Sequence, residues 1–230
     1  AKAFGKRVAL IDSEHGSACK YADIFDFDVI EIESFAPEIY VKAIELADRA
    51  GYDVLIIDSL SHAWVGRDGA LEQVDRYARR NNNNKFVAWQ FVTPKHNALI
   101  DAILSCSSHV IATMRSKMAY ALETIEGKAT PRKVGLAPIQ REGIEHEFDV
   151  VGELDLDHSM IITKSRCPDI DGKVFVRPGA EVGDRLLRWL EDGADPVPPP
   201  PEPAATKETT TPADTETTTP AVIEVPSATH

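Results

Sequence analysis

Two short apolar runs with nearly the same ending constrain this chain most: Val8-Ala9-Leu10-Ile11-Asp12-Ser13-Glu14-His15 and Asp53-Val54-Leu55-Ile56-Ile57-Asp58-Ser59. Unbroken apolar runs of this length read as strands buried on both faces, the pattern of a parallel sheet flanked by helices. Each run stops on an aspartate followed by a serine. In an open α/β sheet, ligands bind just beyond the carboxyl ends of the strands. Two strands therefore deliver carboxylates to the edge where a ligand would sit. That points to a site for Mg²⁺ and a polarised water, the equipment of nucleotide hydrolysis.

The remaining pattern alternates in the same sense. Strands are expected at 6–12, 28–33 and 53–58, and residues 1–5 as a helix end closed by Gly5. A helix is expected at 37–51, with Ile39, Ala43, Leu46, Ala47 and Ala50 at helical spacing and Gly51 as its stop. Another is expected at 69–80, running into the loop Asn81 to Asn84, and a third at 94–106 with Pro94 in its first turn. Residues 108–113 read as a buried strand. The polar, basic stretch 115–133, broken by Gly127 and Pro131, reads as a loop. Antiparallel strands at 148–156, 159–164 and 173–176 and an amphipathic helix at 181–189 close the body. The fold class is α/β: a three-layer sandwich with a mostly parallel central sheet and C-terminal antiparallel strands.

Residues 1–192 form the expected globular domain, and 193–230 an acidic Pro/Thr-rich tail. The tail has nine prolines, six acids and one lysine. It has too few large apolar residues to offset its ordering entropy and is expected to be disordered, with 198–201 in polyproline II. The formal net charge of -12 argues against a generally basic nucleic-acid-binding surface but leaves room for a local basic patch. Cys19, Cys106 and Cys167 stand alone, without CxxC or CxxH spacing. That argues against a zinc site or disulfide framework and for a reducing, cytoplasmic location. No apolar run approaches the roughly 18–20 residues that span a bilayer, and no signal-peptide pattern is present. No membrane partner is expected.

Four groups of residues have the types that chemistry at such an edge needs. Asp58 follows four apolar residues and is placed to hold Mg²⁺, with Ser59 supporting it. A buried strand ending in a polar turn gives the same letters. Glu14, one strand over, is placed to polarise a water for attack on a γ-phosphate; a solvated loop acid is the plain alternative. Arg115 follows the strand at 108–113 and is placed either to sense phosphate or to open a DNA-facing loop. Together with Lys117, Lys128, Arg132 and Lys133, set against Glu123 and Glu126, it gives that stretch a local excess of three positive charges. Contacts to a phosphate backbone or ordinary solvated cations both fit. Lys164 and Arg166 alternate along a strand end, where they reach across a subunit boundary to a neighbour's γ-phosphate or lie free on the surface. The sequence Gly-x-x-x-x-Gly-Lys-Ser/Thr occurs nowhere in the 230 residues. Its nest of backbone N–H groups and its lysine are therefore not supplied by these residues. With 1–5 read as a helix end, the expectation is of a chain that starts one helix after that loop.

The order of these motifs resembles the RecA-like phage ATPases of the Sak type, single-strand annealing and recombination proteins of the AAA group, over residues 1–180. The resemblance runs from the helix end through Val-Ala-Leu-Ile-Asp-Ser-Glu-His, Asp-Val-Leu-Ile-Ile-Asp-Ser and Val-Ile-Ala-Thr-Met-Arg-Ser-Lys to Thr-Lys-Ser-Arg-Cys. It implies a RecA-like P-loop fold that binds ATP and Mg²⁺. Glu14 is implied as the catalytic glutamate and Asp58 as the Walker B aspartate. Ser59 and Arg115 are implied beside the nucleotide, although RecA has a glutamine where this chain has Met114-Arg115. Lys117, Lys128, Arg132 and Lys133 are implied on DNA, and Lys164 and Arg166 as fingers acting on the next subunit of a ring or filament. Implied partners are single-stranded DNA, further copies of the chain and a single-strand-binding protein, in a bacterial host cell. Two alternatives stay open: a degenerate binding module that does not hydrolyse nucleotide, and a helicase-type motor or loader.

Overall fold

The computed structural model describes residues 1–125 and 128–192, of which 119–125 and 128–134 are described by backbone alone. The tail 193–230 lies outside the described residues. Four strands, β1 (Val8–Asp12), β2 (Asp28–Glu31), β3 (Val54–Asp58) and β4 (His109–Ala112), form one all-parallel sheet in the order β2-β1-β3-β4. Register pairs Ala9 with Leu55, Ile11 with Ile57 and Asp12 with Asp58. The two Asp-Ser endings thus lie side by side at one edge.

Helices α1 (Pro37–Arg49) and α4 (Lys85–Ser105) supply the core of one sheet face. Tyr40, Ala43, Ile44 and Ala47 make one stripe along α1, the spacing that a 3.6-residue period puts on a single side. They pack with Leu99 and Ile103 of α4 on Ala9, Ile11, Leu55 and Ile57. Each large side chain buried this way contributes about 1.5–3 kcal/mol, so the strands carrying the polar endings are firmly anchored. On the second face Val8 and Val54 are buried, while Leu10, Ile56 and Ile111 are half-buried. Between β3 and α4 run the short α2 (His62–Val65) and α3 (Ala70–Arg80). Ala70, Val74 and Ala78 of α3 pack on Ala88 and Val92 of α4.

After the parallel sheet come β5 (Ser116–Ile125) and β6 (Lys128–Pro138), paired as an antiparallel hairpin. Then β7 (Val150–Leu154), β8 (Ser159–Ser165) and β9 (Val174–Val176) make a three-stranded antiparallel sheet. Its small core of Ile162, Cys167 and Ile170 is closed by Leu186 and Trp189 of α5 (Ala180–Glu191). The fold is therefore α/β with a mostly parallel central sheet and added antiparallel strands, of the RecA-like P-loop type. No helix among the described residues is long and apolar enough to cross a membrane.

Four local expectations are corrected. The helix expected at 94–106 begins at Lys85, because Asn84 caps it by accepting the Val87 N–H at 3.2 Å. Pro94 therefore lies mid-helix, where it removes one hydrogen bond at a cost of about 3 kcal/mol. Buried Ala88, Val92, His96, Leu99 and Ile103 outweigh that cost. The strand expected as buried at 108–113 is half-buried, because β4 is an edge strand. The basic stretch read as a loop is the β5–β6 hairpin. Pro131 is tolerated there because both strands of a two-stranded ribbon are edges. Residues 1–5 form a turn, with the Phe4 N–H on the Ala1 carbonyl at 2.9 Å, rather than a helix end.

Candidate active site

The two strand endings are stitched together by buried polar groups. Asp12 is 2 % exposed, and its carboxylate accepts the backbone N–H groups of Glu14 (2.6 Å) and Ala18 (3.1 Å). It thereby closes the loop that carries Glu14. The buried Ser13 hydroxyl accepts the Ser59 N–H at 2.8 Å, faces the Ser59 carbonyl at 3.1 Å and shares a hydrogen bond with His62 Nδ1 at 2.8 Å. From α1 the Tyr40 hydroxyl donates to the same Ser59 carbonyl at 3.0 Å. Burial above all, and then the nearby Glu14 and Asp58 carboxylates, push Tyr40 up to about 12 against the opposing hydrogen bond from Ser13. Tyr40 thus stays a neutral donor.

Glu14 stands over this framework. Its carboxylate accepts the Ser59 hydroxyl at 3.3 Å and the Arg115 guanidinium at 2.7 and 2.9 Å, one contact to each oxygen. His62 Nε2 lies 3.7 Å from it, with the imidazole stacked on Phe35 at 4.8 Å between centroids. Asp58 accepts the Thr113 hydroxyl on Oδ1 at 2.6 Å. Its second oxygen accepts nothing among the described residues.

This donor set fits Mg²⁺. The ion takes hard oxygen ligands and is commonly held by one or two carboxylates, the other positions going to water and phosphate oxygens. Asp58 offers such an oxygen at the strand edge. Among the described residues no group of three or more His, Cys, Asp or Glu side chains makes a closed metal cage, so the remaining ligands would have to come from substrate and solvent.

Both feet of the hairpin reach the same edge. The Arg115 N–H donates to Ser61 Oγ at 2.9 Å. At the other foot, Gln140 is buried and its Nε2 donates to the Leu60 carbonyl at 3.1 Å. Gln140 Oε1 accepts the Arg141 N–H at 2.8 Å and pairs with His96 Nε2 at 3.0 Å. Since that oxygen can only accept, His96 carries its proton on Nε2. Burial first of all lowers the His96 pKa.

Of the residues singled out from sequence, the structure brings Glu14, Asp58, Ser59 and Arg115 together. Lys164 and Arg166 lie on and just after β8, in the three-stranded sheet. The Lys164 ammonium donates to the carbonyls of Glu145, His146 and Phe148 at 3.2, 2.6 and 2.7 Å, which occupies its three donors. Arg166, 61 % exposed in its side chain, pairs with exposed Asp149 at 2.6 Å. Lys117 is exposed on β5. Lys128, Arg132 and Lys133 lie on β6, and their side chains are outside the described residues. Sequence reasoning gave no individual role to Asp12, Ser13 or Thr113 and did not single out Tyr40, His62 or Gln140. The repeated Asp-Ser at both strand ends carried the signal for the first two.

Strand-edge carboxylates, a hydroxyl network and a RecA-like P-loop fold define a protein of the nucleotide-binding ATPase class. More narrowly, the model of the AAA domain matches residues 1–177, and the chain belongs to that family. No curated protein and no solved structure matches it.

Proposed function

We propose that this chain forms the catalytic-glutamate and Walker B side of an ATP-hydrolysing phage-type recombination protein acting on single-stranded DNA. The observation that carries the reading is the edge itself. Glu14 and Asp58 stand at the carboxyl ends of neighbouring parallel strands, their segments tied through Ser13 and Ser59.

In this reading Asp58 would hold Mg²⁺, which would supply positive charge against the phosphates, while Thr113 fixes the orientation of the carboxylate. Glu14 accepts a hydrogen bond from the attacking water and aligns it with the γ-phosphate. Ser59 and Arg115 set the position of Glu14. The phosphate-cradling loop is not among these 230 residues. The site is complete only with a phosphate-binding segment supplied beside it. Lys117, Lys128, Arg132 and Lys133 give the hairpin its cationic character toward a DNA backbone. Arg166, exposed and paired only at the surface, is the better placed finger toward a neighbouring copy in a ring or filament, since Lys164 spends its donors on carbonyls. A single-strand-binding protein is the further partner.

One observation favours a second reading, a module that binds without hydrolysing: both Glu14 oxygens are occupied by Arg115. Hydrolysis of Mg·ATP by the protein expressed from its complete reading frame, with and without single-stranded DNA, tests the two. DNA-stimulated turnover supports the first. Nucleotide or DNA binding with no turnover under either condition supports the second.

A further inference from the structure

The chain carries 37 acids, yet none occurs between Arg76 and Ile100. That stretch holds Arg76, Arg79, Arg80, Lys85 and Lys95, and it makes up most of the helical hairpin of α3 and α4, joined by Asn81 to Asn84. The helical period sorts its side chains. Ala70, Val74 and Ala78 pack on α4. Gln73, Arg76, Tyr77 and Arg80, spaced i, i+3, i+4 and i+7, share one flank of α3. Phe91 and Lys95, one turn apart, share the facing flank of α4. The two flanks meet. The Tyr77 and Phe91 rings stack at 5.2 Å between centroids with planes 12° apart, and Lys95 Nζ donates to Gln73 Oε1 at 2.9 Å.

Between these flanks and the start of α1 lies a cavity of about 300 Å³, lined by Arg76, Tyr77, Arg80 and Lys95 with Ser34 and Glu38. The carboxylates at its wall are already answered: Glu38 pairs with Lys95, and Asp68 with Arg76 at 2.6 Å. Arg79 and Arg80 are exposed, and neither forms an ion pair among the described residues. The lining thus keeps the Arg80 charge uncompensated, beside a Phe91 ring that is 47 % exposed. A free guanidinium next to an open aromatic face matches a phosphate linked to a flat group. The planar fork of arginine fits phosphate oxygens, and any nucleobase can stack on an aromatic ring. An acidic peptide would answer the charge but leave the ring face without a partner. Arg79 carries positive charge past the cavity toward the Asn81–Asn84 tip, as a run of phosphates needs and one nucleotide does not. The cavity also borders the strand edge: Phe35, between its lining residues Ser34 and Ala36, stacks on His62.

We propose that this flank of the α3–α4 hairpin is a surface for single-stranded nucleic acid, separate from β5–β6, on which a base lies against Phe91 and its phosphate on Arg80. The surface requires neither hydrolysis nor any role for Glu14.

Fluorescence anisotropy of labelled oligodeoxythymidylate on the 230-residue chain tests this without ATP. Arg80→Gln should weaken binding about tenfold and reduce the slope of log K against log salt by roughly 0.7–1, the share of one phosphate contact. Arg80→Lys keeps the charge and should stay within about threefold of wild type at the same slope. Phe91→Ala should weaken binding about fivefold or more with the slope unchanged, because stacking releases no counterions. Phe91→Leu keeps the packing on Tyr77 but offers no flat face, and should lose affinity likewise, so a merely destabilised Phe91→Ala does not decide the result. The Arg80 and Phe91 effects should both persist in a Lys117→Glu background, since separate surfaces add. Loss of all binding in Lys117→Glu alone would put the strand on β5–β6 and overturn the proposal while leaving the DNA reading of that hairpin standing. Wild-type affinity and slope in Arg80→Gln and Phe91→Leu would overturn it too. So would displacement of the strand by thymidine monophosphate at equal nucleotide concentration, which would mark a pocket for free nucleotide, or by polyglutamate as readily as by unlabelled strand, which would mark an acidic protein partner.

Discussion

Ser59 is 2 % exposed, and its two backbone groups depend on two side chains from elsewhere in the chain. Its N–H has the Ser13 hydroxyl. Its carbonyl has Ser13 and Tyr40. In Tyr40→Phe the ring still fills its site and the carbonyl keeps Ser13, so the cost is that of one net hydrogen bond, about 1 kcal/mol. Ser13→Ala leaves the buried Ser59 N–H without an acceptor and His62 Nδ1 without its partner, at about 2 kcal/mol. The double variant leaves the Ser59 carbonyl with no donor at all. Its cost should therefore exceed the sum of the single costs by about 1 kcal/mol, the signature of a shared partner. Urea unfolding followed by circular dichroism, comparing midpoints at a common slope, gives the cycle. The midpoint temperature should fall by about 2–4 °C per kcal/mol in a chain of this size. A strictly additive double variant would refute the idea that Ser13 and Tyr40 share responsibility for one buried carbonyl.

Two further predictions concern pH and one concerns the cations of β8. Tyr40, raised from 10 to about 12 by burial, contributes stability that is whole below pH 10 and is lost as pH rises from there toward 12. Alkaline unfolding curves of Tyr40→Phe should lack that decline. His96, held below its ordinary 6.5 chiefly by burial, acts in the opposite sense. Its contribution is whole above pH 6.5 and fades as pH falls below it, so urea midpoints of His96→Gln should decline less on acidification than those of wild type. Lys164→Met should cost about 2 kcal/mol in urea, because three carbonyls lose a charged donor. Arg166→Ala, losing only a surface pair, should stay within about 0.5 kcal/mol of wild type while lowering turnover in the assembled protein.

The parallel sheet was legible because Val8–Asp12 and Val54–Asp58 are nearly pure apolar runs, and two-sided burial leaves that mark. The placement of Asp58 and Glu14 at the strand edge was legible because apolar runs that stop on acids mark the ends of buried strands. The start of α4 was not, because Pro94 is the louder signal locally while the Asn84 cap is one asparagine among four. The hairpin was hidden by Gly127 and Pro131, which punctuate a loop and a two-stranded ribbon alike. Tyr40, His62 and Gln140 reach the site from α1, α2 and the segment after β6. Such convergence is set by tertiary packing, and no local spacing announces it. Lys164 looked like a finger for a neighbour, since a Lys-x-Arg pattern does not reveal that nearby carbonyls take all three ammonium donors.

The central claim, that Glu14 aligns the attacking water, is tested most directly by Glu14→Gln in the protein expressed from its complete reading frame, with Mg·ATP binding and turnover measured side by side. Glutamine keeps the shape and still meets Ser59 but cannot serve as a base. The account predicts nucleotide binding near the wild-type level with turnover reduced by about 10²-fold or more. Turnover equal to wild type would contradict it and remove Glu14 from the mechanism.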